Sequence, residues 1–393
     1  MTESDNPLPL DIGIIIAGRM DAETRQLVAQ SIRRFGQDLR HWFPDFHWRI
    51  GTTQRRDIGE FRREESSELL RQAAEIRGVD QQDVTLLITA DELIAHYRLF
   101  ALAALSRPLD AAVISTARLI GESNTSDTVV DRLATLMMHA LAHIAGSRAS
   151  ADRQHLLHHP QAPGDLDAMQ RFYERDLVDL RQAFREIADT RLEDAAGPSS
   201  SRWRFALKAI NINRSEIADA VRAARPWEFP QRLSRLSTAA VSTLAVLLMT
   251  AEGWDLGLSQ SASTLALTSL FVLALTTTFV VHRQQLLLSR HQHLSEQLIV
   301  TRTAALLIVV TGLATTWSAA LLLALLATCT LFENALIAAW AVASALEANA
   351  VGWTERLKMA SFSASISLLI GALGASFEEQ HHFRHVIFVD EEL

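Results

Sequence analysis

Beyond Arg235 the chain carries four long stretches without a charged side chain, and no other feature limits its fold as strongly. They are residues 236–251, 262–282, 303–332 and 359–377. An α-helix rises about 1.5 Å per residue, so each of the last three can cross roughly 30 Å of hydrocarbon. The first is short and needs its flanks to reach both interfaces. Soluble core helices seldom run about 20 residues without charge, so a bilayer is the medium that fits. The sequence therefore predicts an all-α transmembrane domain of about four helices over 233–377. Residues 303–332 are long for one crossing. The further apolar stretch 335–346 reads as re-entrant, interfacial or part of a fifth span.

Arginines orient these spans. Arg232 and Arg235 precede the first, and Arg283, Arg290 and Arg302 lie between the second and third. The loop EGWDLGLSQS between the first two has no Lys or Arg. Arg356 and Lys358 oppose this bias and are outnumbered. The expected arrangement puts the N-terminal domain in the cytoplasm, and four spans return the tail, 378–393, to the same side. The acidic start of the chain, with Gly13 and Gly18 breaking its apolar stretch, is unlike a secretory signal.

The chain holds 37 basic and 45 acidic residues, a net charge of −8. That balance gives no basic footprint for nucleic acid. Cys329 is the one cysteine, which excludes a disulfide framework and Cys-rich metal sites.

Most charged residues precede Arg235, where strands and helices alternate. Residues 11–17 form a continuous apolar run with β-branched side chains, read as a buried strand. Asp21 then caps a helix bearing Leu27, Val28, Ile32, Phe35 and Leu39 at helical spacing until Pro44. Phe46, Trp48 and Ile50 alternate as a half-buried strand. A helix over 67–77 is expected to end at Gly78, with further strands at 84–89 and 111–115. A helix over 127–146 takes Asp127 as N-cap and Gly146 as its stop. Two more helices are expected near 166–193 and 204–224, separated by GPSSS. This order implies a three-layer α/β domain over 8–150. The last two helices extend it toward the bilayer, with a juxtamembrane helix and linker at 200–232 and Trp203, Trp227 and Phe229 at the interface.

The helix over 127–146 contains HALAHIAG, which sets His139 and His143 four residues apart on one face. Two imidazoles at that spacing can share one metal ion. A zinc hydrolase of the HExxH type needs a carboxylate after the first histidine to take a proton from water. Here that position is Ala140. A methyl group accepts no proton.

Over roughly residues 10–185 the chain resembles the archaemetzincin group of zinc peptidases. The resemblance rests on the order of RREESSELL (62–70), TLLITADEL (85–93), RLFALAA (98–104), AVISTARL (112–119) and HALAHIAG. It implies a zincin-like domain with a mixed sheet, over 8–195, whose metal helix is HExxHxxGxxH. His139, His143 and Gly146 match that helix. Ala140 stands at the base position and Ala149 at the third-ligand position. His155, His158 and His159 are candidate replacement ligands, and Met169 is a candidate for the family's methionine turn. The candidate metal residues are thus His139 and His143, with no catalytic residue assigned and no cofactor expected ahead of zinc.

Other clusters have plain readings beside sharper ones. His381, His382 and His385, with Glu378, Glu379, Asp390, Glu391 and Glu392, form either a solvated tail or a metal- or proton-responsive group. HFRHVIFVD alternates, so Val386, Ile387 and Phe388 are candidates for a strand added to the soluble domain. His282, His291 and His293 with Arg283 and Arg290 suit anionic headgroups. Glu333 and Glu347 suit interfacial anchoring. Gly371, Ala372, Gly374, Ala375 and Ser376 form a small-residue face suited to close packing and self-association.

The function that follows is a membrane-tethered binding or regulatory module that has lost peptidase chemistry, its partners the bilayer and a peptide or protein segment in the old groove. A membrane-bound zinc peptidase with a non-standard base is the alternative. A transporter or channel subunit is less favoured, since no span has a central ionisable residue or an obvious broken-helix pair.

Overall fold

The computed structural model describes residues 7–59, 63–96, 98–120, 125–189, 202–286, 296–341, 348–375 and 380–393. The expectations at Arg62, Arg290, His291, His293, Glu347, Ser376, Glu378, Glu379 and GPSSS, and at the Trp203 side chain, lie outside the described residues. The chain divides into two compact units. One comprises residues up to Ala224 with Leu288–Ala304 and Phe388–Leu393; the other comprises Arg225–Leu287 and Ala305–Ile387.

The first unit is a mixed α/β domain. Its strands are β1 (Leu8–Ala17), β2 (Phe46–Arg55), β3 (Arg63–Glu65), β4 (Val84–Thr89), β5 (Glu92–Ile94), β6 (Ala103–Ser106), β7 (Ala111–Ser115) and β8 (Glu391–Glu392). The main sheet has the order β2-β1-β4-β7-β6-β8. Its first four strands are parallel, while β6 runs antiparallel to both β7 and β8. β3 and β5 pair in a small second sheet. Parallel strands must be covered on both faces, which explains why β4 and β7 are buried throughout.

The helices of this unit are α1 (Ala22–Trp42), α2 (Ser66–Asp80), α3 (Ser126–Ile144), α4 (Glu174–Asp189), α5 (Arg202–Ile212) and α6 (Arg214–Ala223). One sheet face, with Ile12, Ile14, Leu86, Ile88 and Ile114, shares a core with Leu27, Val28 and Phe35 of α1 and Leu133, Met137 and Leu141 of α3. α4 adds Phe184, which meets Phe43, Phe46 and Trp48 edge-on or nearly so. Side-chain alternation sends Ile15, Leu87 and Val113 to the other face, where α2 packs on β4 and β7.

Several expected boundaries move. Asp21 caps α1 as expected, accepting from the Thr24 amide at 2.7 Å. α3, however, is capped by Thr125 rather than Asp127. α2 runs through Gly78 and ends at Gln81, whose φ of 52° supplies the left-handed stop. β2 extends five residues past Ile50, because its whole length pairs with β1. The helix expected near 166–193 starts at Glu174, after a 3-10 turn at Pro163–Asp167. The helix expected near 204–224 is broken at Asn213, whose side chain donates back to the Ala209 carbonyl.

The second unit is all-α: α7 (Phe229–Arg232), α8 (Ser234–Leu248), α9 (Ala251–Ser259), α10 (Ala262–Arg283), α11 (Glu296–Thr330, whose first turns belong to the first unit), α12 (Asn334–Trp340), α13 (Trp353–Ala375) and α14 (Gln380–Phe388). By length and composition, three helices among the described residues can cross a bilayer: Ala262–Arg283, Ile299–Thr330 and Trp353–Ala375. The expected first span differs. α8 and α9 meet at an 89° bend, and together they count as a fourth crossing only as a broken pair. The fifteen residues of α8 reach about 22 Å, short of the hydrocarbon thickness. Trp254 seals the bend by donating from Nε1 to the Leu248 carbonyl at 2.9 Å. Ile337 of α12 packs with Trp254 and Phe332 in an apolar cluster.

The small-residue face of α13 is used inside the chain. A side chain at Gly371 would press on Leu236 and Ala240, and one at Gly374 on Ala239 and Arg235. These glycines therefore bring α8 backbone-close to α13. That is the close helix packing expected of this face. The tail also differs from expectation. Val386, Ile387 and Phe388 are helical in α14, and strand pairing falls to Glu391 and Glu392.

Candidate functional site

α3 brings both motif histidines to the β6 end of the sheet. Its last turn closes at Gly146, φ 100°, where the Gly146 amide donates to His143 and the Ser147 amide donates to Ala142. A left-handed residue there favours glycine, as the sequence implied. His139 and Ala140 are buried at 2% and 0% exposure.

His139 donates from Nδ1 to the Leu156 carbonyl at 2.8 Å, which leaves Nε2 as a bare acceptor. Among the described residues that Nε2 has no hydrogen-bond partner. Burial pushes the His139 pKa down to about 4, so the ring is neutral near pH 7. The neutral His139 ring thus keeps at Nε2 the lone pair that a metal requires.

His143 is held differently. Its Nε2 lies 3.1 Å from Asp390 Oδ2 and its Nδ1 lies 2.6 Å from Glu391 Oε2. Carboxylates accept, so both ring nitrogens donate and the ring is an imidazolium. Burial opposes that charge, but the bonds to Asp390 and Glu391 outweigh it and raise the His143 pKa. The same contacts act on Glu391: burial raises its pKa, and the bonds to His143 and His159 overcome this and lower it. An imidazolium has no lone pair for a cation. As arranged, the pair does not fit a zinc ion. Among the described residues, no group of three or more His, Cys, Asp or Glu side chains is placed to hold a metal.

Of the candidate replacement ligands, only His159 reaches this cluster. It donates from Nδ1 to Glu391, and its Nε2 accepts from Arg98. His155 is committed elsewhere, with Nε2 2.9 Å from Asp176 on α4 and Nδ1 accepting from the Leu157 amide of its own loop. His158 turns to the Ser150 carbonyl at 3.2 Å. Met169 is buried in the main core.

Two arginines that the sequence did not single out complete the site. Arg107 donates to Asp390 from its backbone amide, at 3.2 and 3.4 Å to the two oxygens. Its side chain donates to the His143 carbonyl at 2.8 Å and to the Ser147 carbonyl at 2.5 Å. Arg98 also anchors the Pro160 carbonyl at 3.0 Å. Both flank β6 in the stretch RLFALAALSR. The Asp390, Glu391 and Glu392 candidates belong here rather than with His381, His382 and His385.

The charges set a pH response. The His143 pKa is raised above 6.5, so its contribution is complete below pH 6.5 and lost as pH climbs through the raised value. The Glu391 pKa is lowered from 4.5, so its contribution is complete above pH 4.5 and lost as pH falls through the lowered value. Docking of the tail should therefore be firmest between about pH 4.5 and 6.5. His139 acts on the whole domain. Between pH 6.5 and 4 the unfolded chain takes a proton that the folded one refuses, which removes about 3 kcal/mol as pH falls. Hydrogen exchange across this range should show β6 protection declining on the alkaline side and core protection declining on the acid side.

Neither a protein-family model nor a curated protein matches the sequence. Solved structures give distant, partial likenesses. An archaemetzincin from Methanopyrus kandleri is 18% identical, with a TM-score of 0.38, over 45% of this chain and 96% of that one. A zinc-dependent peptidase from Methanocorpusculum labreanum is 17% identical, with a TM-score of 0.33, over 43% and 99%. An archaemetzincin from Archaeoglobus fulgidus, complexed with malonate, is 16% identical, with a TM-score of 0.32, over 43% and 99%.

Proposed function

We propose that this chain is an integral membrane protein whose cytoplasmic α/β domain is a degenerate, metzincin-like binding or regulatory module without peptidase activity. The observation that carries this reading is the state of His143, donated into Asp390 and Glu391, next to a helix with Ala140 in the base position. A hydrolytic site of this kind needs two neutral imidazoles and a proton acceptor within hydrogen-bond reach of the attacking water. One imidazole is engaged as a cation, and the acceptor is a methyl group. Three helices long and apolar enough to cross a bilayer support the tether, and the arginine bias supports the cytoplasmic side for the domain and the tail. A groove freed from catalysis can still hold a peptide in extended form.

One atom favours the second reading, a membrane zinc peptidase. The His139 Nε2 is buried, neutral and unpartnered among the described residues, as a ligand atom would be. Hydrolysis separates the two. The full chain in detergent, supplied with zinc and a mixed peptide library, should yield no more cleavage than its His139→Ala variant. Cleavage by the wild type that this substitution abolishes would establish the peptidase.

A further inference from the structure

We propose that the β6 edge is a binding site for an extended acidic peptide, and that residues 390–393 are its resident occupant in cis. This rests on the reading of the α/β domain as a binding module and names what the groove recognises.

The backbone comes first. Among the described residues, β6 pairs with β7 on one side and with β8 of the tail on the other, so removing the tail bares that edge. The Asp390 amide donates to Leu105 at 3.1 Å and the Leu393 amide to Ala103 at 2.9 Å, and the Leu102 amide donates to Leu393 at 2.6 Å. These ladder bonds accept any extended peptide, so they supply attachment without selectivity.

The side chains supply the selectivity. Asp390 takes the Arg107 amide and His143 Nε2. Glu391 takes His143 Nδ1 and His159 Nδ1. The Glu392 carboxylate accepts from the His96 amide at 3.1 Å. Leu393 is 1% exposed and lies in the main core cluster. Three consecutive carboxylates thus each meet at least one donor, and these donors come from three separate parts of the domain: the segments on either side of β6 (His96 and Arg107), the end of α3 (His143) and the loop that carries His159. A two-residue strand of glutamates has little β-propensity of its own, so the host's donors hold it. The ligand class follows from these contacts: acidic, acidic, acidic, then apolar, in extended form.

The tail competes with any peptide in trans through its high effective concentration, so removing it should open the site. The test uses a fluorescein-labelled peptide of residues 388–393 (FVDEEL) and the full membrane chain in detergent, intact or ended after Val389. Anisotropy should show binding to the shortened chain at least tenfold tighter than to the intact one. A peptide with the three acids changed to Asn, Gln and Gln should bind the shortened chain at least tenfold more weakly. Should the shortened chain not fold, the intact chain carrying Asp390→Asn and Glu391→Gln must admit the acidic peptide more readily than wild type. Equal binding to intact and opened chains, equal binding of acidic and neutral peptides, or no binding overturns the proposal. Absence of binding with absence of cleavage removes this inference alone. Cleavage of a bound peptide keeps the inference and removes catalytic silence.

Discussion

Asp390→Ala is expected to release the tail from the α/β domain. Asp390 has a side chain only 2% exposed, beside Arg107 at 3.9 Å and His143 at 3.1 Å. Its loss leaves a buried imidazolium with one of its two acceptors gone and the Arg107 amide without this partner. Breaking a buried, hydrogen-bonded charge pair by removing one member costs about 3–5 kcal/mol. That corresponds to at least about a hundredfold loss of hydrogen-exchange protection at Leu102–Leu105, since each 1.4 kcal/mol is tenfold. Amides of β1 and β4, four and three strands from β8 in the sheet order, should keep their protection. Asp390→Asn keeps a side chain that accepts from Arg107 and should lose less. An unchanged exchange pattern in the alanine variant would mean that this carboxylate does not hold the tail.

The second large effect is expected from Ala140→Glu, which puts a carboxylate after the first histidine, where an HExxH motif has one. Ala140 is wholly buried in the core cluster with Leu136, Met137 and Leu141. Extra volume in such a place costs about 1–3 kcal/mol, and an unpaired carboxylate adds a burial cost of several kcal/mol or shifts its pKa upward to avoid charge. The variant should therefore melt well below wild type and gain no hydrolysis, because His143 remains committed to Asp390 and Glu391. Thermal unfolding of the domain and a peptide-cleavage assay read the two outcomes. Cleavage gained by this one substitution would mean that the rest of a metal centre is intact.

Much of the fold was legible because it is written in local signals. Asp21 followed by an apolar stripe marks α1, and the runs at 84–89 and 111–115 match β4 and β7 residue for residue. Three uncharged stretches mark three helices long enough to cross a bilayer. The boundaries that differ depend on packing. Gly78 has a stop's own preference, but the buried face of α2, with Leu70, Ala73, Ala74 and Arg77, carries the helix past it. The expected first span bends by 89° between α8 and α9, a turn that no hydropathy average records.

The candidate site was half legible. Spacing put His139 and His143 on one helix, α3, and the same run showed a methyl side chain at Ala140 between them. The clamp on His143 was not visible, because its acceptor at Asp390 lies 247 residues away and β8 is two glutamates with no strand signal. Alternation pointed to the apolar residues 386–388 as the docking strand, yet they fold as the end of α14. Long-range charge pairing selected the residues that hydropathy discounts.

In the proposed reading the chain's own acids, Asp390 and Glu391, engage the histidine helix where a metal would sit, and zinc stoichiometry tests this. The full chain, purified in detergent, incubated with equimolar zinc and desalted, would be assayed by elemental analysis beside His139→Ala and His143→Ala. The account predicts well under one zinc per chain in the wild type, with no difference from either variant. One zinc per chain, lost in both variants, would contradict it.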